Sequence, residues 1–176
     1  MHSKRQRTTV SRHTLCVFVW SLIRDERYDM REGIWRFANG TKCSICTNSA
    51  TMIAERFGGA VWGYWSADNP SAFIGDPYCL GHDFAIVSEH WLVDYWAYRI
   101  SRLVKCAVLD IHDPRCQNDL RRLYGNPSRW ELTTKCTRNR SCQRTVARTT
   151  RQCLPNFIPA RTQKYSARSQ HAVHSA

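Results

Sequence analysis

Residues 46–65 read CTNSATMIAERFGGAVWGYW, and this stretch decides the fold. Ala50, Ile53, Ala54 and Phe57 recur at i, i+3, i+4 and i+7, a single apolar stripe that predicts a helix over residues 46–57. Cys46 lies four residues before Ala50, so it stands on that stripe at the helix start. Gly58-Gly59 follows Phe57, where a left-handed C-cap favours glycine. Residues 60–65 (AVWGYW) then read as a strand. Trp62, Tyr64 and Trp65 are expected to serve in core packing, with the lining of a cleft as the other use.

Downstream, Asp68-Asn69-Pro70 and Gly75-Asp76-Pro77 mark residues 66–81 as a long loop. Residues 82–87 (HDFAIV) and 91–96 (WLVDYW) are β-rich runs joined by Ser88-Glu89-His90, a hairpin signal. In an antiparallel pair the numbers of opposed residues have a constant sum. A three-residue loop sets Val87 opposite Trp91 and the sum at about 178, which places His82 and Asp94 on one sheet face; one step of slip would separate them. Residues 98–109 read as a short helix or strand. Residues 116–124 read as a helix with Leu120, Leu123 and Tyr124 inward.

Upstream, residues 14–38 are expected to be largely helical, since Leu15, Phe18, Val19, Leu22 and Ile23 fall at helical spacing. The run at 15–23 (LCVFVWSLI) is short for a membrane span. It is followed by Arg24-Asp25-Glu26-Arg27 instead of a small-residue cleavage site, which favours a buried first helix over a signal peptide.

The net charge of +12 is concentrated at the ends. Residues 13–131 hold thirteen basic and fourteen acidic residues, whereas residues 132–176 hold nine basic and no acidic ones. The expected organisation is a basic flexible arm at 1–13, one catalytic domain at 14–131, and a basic, mostly disordered tail at 132–176. Such a tail suits a non-specific anionic partner such as nucleic acid. Nine cysteines cannot all pair internally. Their spacing is not that of a secreted disulfide scaffold, so a reducing, cytoplasmic setting is expected.

The chemistry centres on three residues. A thiol attacks as thiolate, and a helix N-terminus and a neighbouring imidazolium both favour that form. Cys46 has the first, and its own backbone N–H is placed to hold an oxyanion. His82, at a strand start behind a long loop, supplies the second. Asp94, an acid inside an apolar run, needs a partner and is suited to orient the imidazole. Asp83 and His90 are rivals for the minor roles. Asp83 ranks lower because it should face away from His82, and His90 because it sits in the turn.

Cys46-x3-Ala50-x3-Ala54, Gly58-Gly59, Gly63-Tyr64, Gly81-His82-Asp83-Phe84-Ala85 and Val93-Asp94-x-Trp96-Ala97, in that order, resemble bacterial and phage papain-like domains, including toxin-type protein deamidases and small cysteine peptidases. The resemblance covers residues 40–100. It implies an α+β papain-like fold, with a Cys-bearing helix packed on a small antiparallel sheet that carries His and Asp. It implies a Cys46–His82–Asp94 triad that hydrolyses an amide of a protein or peptide, by glutamine deamidation or peptide cleavage. It also implies no cofactor, and a protein that is cytoplasmic or delivered into another cell as an effector. Two departures stand out. Asp94-Tyr95-Trp96 replaces a frequent Asp-Pro-Trp, and Ser44-Ile45 replaces the usual Gly or Asn before the cysteine. Asn39 is the candidate for the oxyanion-hole side chain.

A different class remains open. Cys43-x2-Cys46 and Cys79-x2-His82 supply four zinc-ligand types. With the basic tail they describe a zinc-stabilised nucleic-acid-binding module. The 32 residues between the two pairs exceed a simple finger, and Asp94 then has no role.

Overall fold

The computed structural model describes residues 10–74 and 81–136, and the backbone of 143–144. Cys79 and most of the basic tail, with the expectations placed on them, lie outside the described residues.

The first helix, α1 (Arg12–Asp25), begins at Ser11, whose side chain accepts from the Thr14 N–H. It buries Leu15, Val19 and Leu22. The chain then departs from the expected helix over 14–38. Strands β1 (Arg27–Asp29) and β2 (Ile34–Arg36) form an antiparallel hairpin. Asp29 turns the chain by accepting from the N–H groups of Arg31 and Glu32, and Gly33 takes a left-handed φ of 67°. These local bonds outweigh the helical spacing of residues 34–37.

Helix α2 (Cys46–Phe57) is as expected, and Gly58 caps it at φ 72° with its N–H on the Ala54 carbonyl. Gly59 has another reason to be glycine: a Cβ there would lie 2.5 Å from the Ile86 carbonyl oxygen. The double glycine therefore ends the helix and lets the chain turn tightly against the sheet.

Strands β3 (Ala60–Trp65), β4 (Gly81–Val87), β5 (Trp91–Val93), β6 (Val108–Asp110), β7 (Glu131–Lys135) and β8 (Gln143–Arg144) form a sheet of order β6-β5-β4-β3-β7-β8. Every pairing is antiparallel. Val87 pairs with Trp91 and Ala85 with Val93, the register that the three-residue loop requires. Helix α3 (Pro114–Tyr124) buries Leu120, Leu123 and Tyr124. The molecule is thus a mixed α+β fold.

Alternation along the strands makes two cores. Val61, Ala85, Val87 and Val93 pack with α1, α2, Phe37 and Cys43. Tyr64, Phe84, Leu92 and Trp96 pack with α3 and Ile74. Both domain boundaries move outward from the expected 14 and 131. Val10 is buried and α1 starts at Arg12, while β7 pairs with β3 through Lys135. Cys136 is disulfide-bonded, so the expectation of a wholly reduced chain does not extend to it. Among the described residues no helix is long and apolar enough to cross a membrane.

Candidate active site

The site lies where β5 leaves β4. Strand β3 pairs with β4 over residues 81–86, but β5 pairs only with residues 85–87. The first half of β4 is therefore flanked by a strand on one side only. Asp94 ends the β5 run and begins a π-helical turn, Trp96–Ile100. This corrects the reading of 91–96 as continuous strand. The physical reason is Asp94 itself, whose Oδ1 accepts from the Ala97 N–H at 2.8 Å and so nucleates the turn.

The other oxygen of Asp94 faces the histidine. His82 Nε2 lies 2.6 Å from Asp94 Oδ2, with the two side chains only 1% and 2% exposed. The fully buried Tyr124 donates its hydroxyl to the same oxygen at 3.0 Å. With Nε2 engaged by Asp94, Nδ1 is the ring nitrogen left for Cys46, the other side chain whose influence on the ring favours its charged form. His82 and Asp94 are therefore directly paired, and Cys46 is close enough to act on the ring's charge. Burial alone works against an imidazolium. The charge and hydrogen bond of Asp94, and then those of Cys46, offset it and push the ring up to about 10.

Cys46 is partly exposed and is the first residue of α2. The preceding residue, Ile45, offers no side-chain cap. The first N–H groups of a helix have no intrahelical acceptor, and the helix end carries roughly half a positive charge. Two bonds hold this end in place. Trp96 Nε1 donates to the Ser44 carbonyl at 3.0 Å, and Asn48 Nδ2 donates to the Lys42 carbonyl at 3.1 Å. Trp96 thereby ties the segment before the cysteine to the turn that carries Asp94, and its ring stands 5.2 Å from that of His82.

Asp83 projects to the opposite face, as expected, and accepts from Thr47 Oγ1 at 2.5 Å. This second link joins α2 to β4 beside the site. His90 lies in the loop and pairs with Asp110 at 3.1 Å, away from the triad. Tyr64 is buried opposite His82 on β3 and donates to the Ile74 carbonyl at 2.5 Å. Burial, then the charges of Asp94 and Cys46, raise its hydroxyl further above the ordinary range.

Asn39 is not at the thiol. Its amide nitrogen lies 4.0 Å from Met52 Sδ, and its oxygen accepts from the Thr41 N–H. Met52 is six residues into α2 from Cys46, roughly 9 Å along the axis. The turn at residues 38–40, with Gly40 at φ 84°, sends the side chain there. The oxyanion donor that the site itself offers is the Cys46 N–H.

Of the zinc set, Cys79 lies outside the described residues, and Cys43 and Cys46 face different cores. Cys43 is fully buried in the core that holds α1, whereas Cys46 packs against the core that holds α3. Burial pushes the Cys43 thiol up to about 11, against a lowering hydrogen bond from Tyr95. No group of three or more His, Cys, Asp or Glu among the described residues is arranged to hold a metal ion.

Sequence reading missed the parts that support the site. Tyr124 was legible only as an inward residue. Asn69, 1% exposed, donates to the Tyr124 carbonyl at 2.9 Å and accepts from the Asn126 N–H at 2.9 Å, which fixes the end of α3. Glu26 is buried behind the turn, where it accepts from Tyr95 and from Arg99 Nε at 2.9 Å. A buried acid immediately after an apolar helix was the available signal.

The fold and site define an α+β protein with a Cys–His–Asp constellation at a helix start. Comparison of the chain with protein-family models, curated proteins and solved structures finds no match.

Proposed function

We propose that the chain is a papain-like thiol hydrolase that acts on an amide bond of a protein or peptide. One observation carries this reading: a buried His82–Asp94 pair whose ring also responds to Cys46, a cysteine at a helix N-terminus. In the reaction, the Cys46 thiolate attacks the amide carbon. The developing oxyanion lies against the Cys46 N–H at the positive end of α2. His82, held as imidazolium by Asp94, gives its proton to the departing amine and leaves a thioester on Cys46. Water, activated by the now neutral His82, releases the acid and restores the thiol. Asp94 and Tyr124 keep the ring oriented throughout. Glutamine deamidation and peptide cleavage share every one of these steps and differ only in which amide enters.

The test incubates the full chain with a protein mixture and measures released ammonia and new amino termini, with a chelator present throughout. Wild type is expected to yield one of the two products, and Cys46→Ala neither. Product that survives Cys46→Ala, or that the chelator abolishes, contradicts the reading.

A further inference from the structure

A second thiol pair stands apart from Cys46. Cys16 lies on α1 and Cys106 precedes β6, and the two elements pack together. Arg12 Nη2 donates to Cys106 Sγ at 3.3 Å. Cys106 also donates to the Val108 carbonyl at 3.4 Å, and it is the titratable neighbour that raises the Cys16 thiol. Both cysteines are free and partly exposed. Together with Trp20, Tyr98 and Lys105 they line a cavity of about 170 Å³. Two thiols lining one cavity, with a guanidinium on one and an ammonium-bearing side chain beside them, are more than a solvated cysteine needs.

We propose that Cys106 and Cys16 form a redox site for anionic low-molecular-weight disulfides of the glutathione type. This site is independent of the hydrolase reading. Cys106 is the attacking sulfur, because it is the one that Arg12 contacts, at 3.3 Å, and so the one to which an anionic disulfide is drawn. Cys16 is the resolving one, because burial and then the neighbouring Cys106 raise its thiol, with only Arg12 opposing. Arg12 and Lys105 also offer positive charge to the carboxylates of the incoming disulfide.

The Cys106 thiolate attacks one sulfur of the small disulfide. That S–S bond breaks, one small thiolate leaves, and a mixed disulfide forms on Cys106. Cys16 then loses its proton, attacks Cys106 Sγ and expels the second small thiolate. Two protein thiols are oxidised to one disulfide, the small disulfide is reduced to two thiols, and the two protons end on the leaving groups. The product ties α1 to the approach of β6. Ala107, next in sequence to Cys106, accepts from the Asp94 N–H at 2.8 Å, so the bridge would form beside the segment that carries Asp94.

The experiment uses the full chain carrying Cys46→Ser, so that the exposed thiol of the other site does not compete. It is incubated with oxidised glutathione, digested without reductant and mapped by mass spectrometry. The peptides of Cys16 and Cys106 are expected to be joined. Adding Cys16→Ser is expected to stop the reaction at glutathione on Cys106. Arg12→Gln is expected to slow the first step roughly threefold, through loss of the cation that draws the anionic disulfide to Cys106. Cys106 joined to Cys116, both thiols still free when other cysteines have reacted, or a rate indifferent to Arg12→Gln would each overturn the proposal.

Discussion

Asp94→Asn isolates the electrostatics of the site, because it keeps the shape of the side chain and removes its charge. In the wild type the His82 ring is raised from 6.5 to about 10 by Asp94 and Cys46 against the cost of burial. A shift of that size corresponds to on the order of 5 kcal/mol of preference for the charged ring. Loss of one partner of a buried pair costs about 3–5 kcal/mol. The sign follows from the raised histidine. Its contribution to stability is fully present below the unfolded value near 6.5 and is lost as pH rises through about 10. Without the carboxylate, burial dominates, and the ring should titrate below its ordinary value. The assay is ¹⁵N-histidine NMR across pH 5–11, with urea unfolding at pH 6, 8 and 10. Wild type is expected to hold its His82 proton past pH 8 and to lose stability toward pH 10. Asp94→Asn should be neutral at His82 by pH 7 and destabilised by about 3 kcal/mol at pH 6. A wild-type His82 midpoint near 6.5, or the same midpoint in both proteins, would refute the reasoning.

Tyr124→Phe removes one buried hydroxyl bond to Asp94 and should cost about 1–2 kcal/mol in urea unfolding; no measurable loss would mean that the 3.0 Å contact is idle. Alkylation of the folded chain at pH 8 should modify Cys46 and spare Cys43, which is buried with its thiol pushed up to about 11; peptide mapping that finds both labelled equally contradicts the two-core placement. Glu26→Ala leaves the Arg99 cation and the Tyr95 hydroxyl without their acceptor and should lower stability by roughly 3 kcal/mol, read as a depressed thermal midpoint. Truncation after Leu132 cuts β7 in the middle of its pairing with β3 and should lower the midpoint cooperatively, whereas an unchanged midpoint would restore the boundary near 131.

What could be read from the sequence was governed by local regularity. The stripe of α2 and its glycine cap were legible because both are set within a dozen residues. The β4–β5 register was legible because a three-residue loop leaves one way to keep both apolar faces buried, and Asp94 stood out as a charge in an apolar run. The β1–β2 hairpin was not legible, because apolar spacing at residues 34–37 fits a helix as well. What decides it is a set of Asp29 side-chain bonds that the pattern does not contain. Strand β7 (ELTTK) was read as tail because only Thr134 in it is buried, so it has no alternation to recognise. Asn39 is a side-chain type that can hold an oxyanion, but no local pattern shows that its amide lies beside Met52. Tyr124 reaches Asp94 across thirty residues, a pairing that depends on how α3 packs rather than on any local signal.

The most direct measurement is the second-order rate at which a peptidyl vinyl sulfone modifies Cys46 at pH 7. It is compared in wild type, in His82→Ala and in the urea-unfolded chain. A nearby His82 imidazolium and the helix end predict that wild-type Cys46 reacts at least tenfold faster than in the unfolded chain, and that His82→Ala loses most of that advantage. A Cys46 that reacts no faster folded than unfolded, or one indifferent to His82→Ala, would contradict a thiol nucleophile at this site.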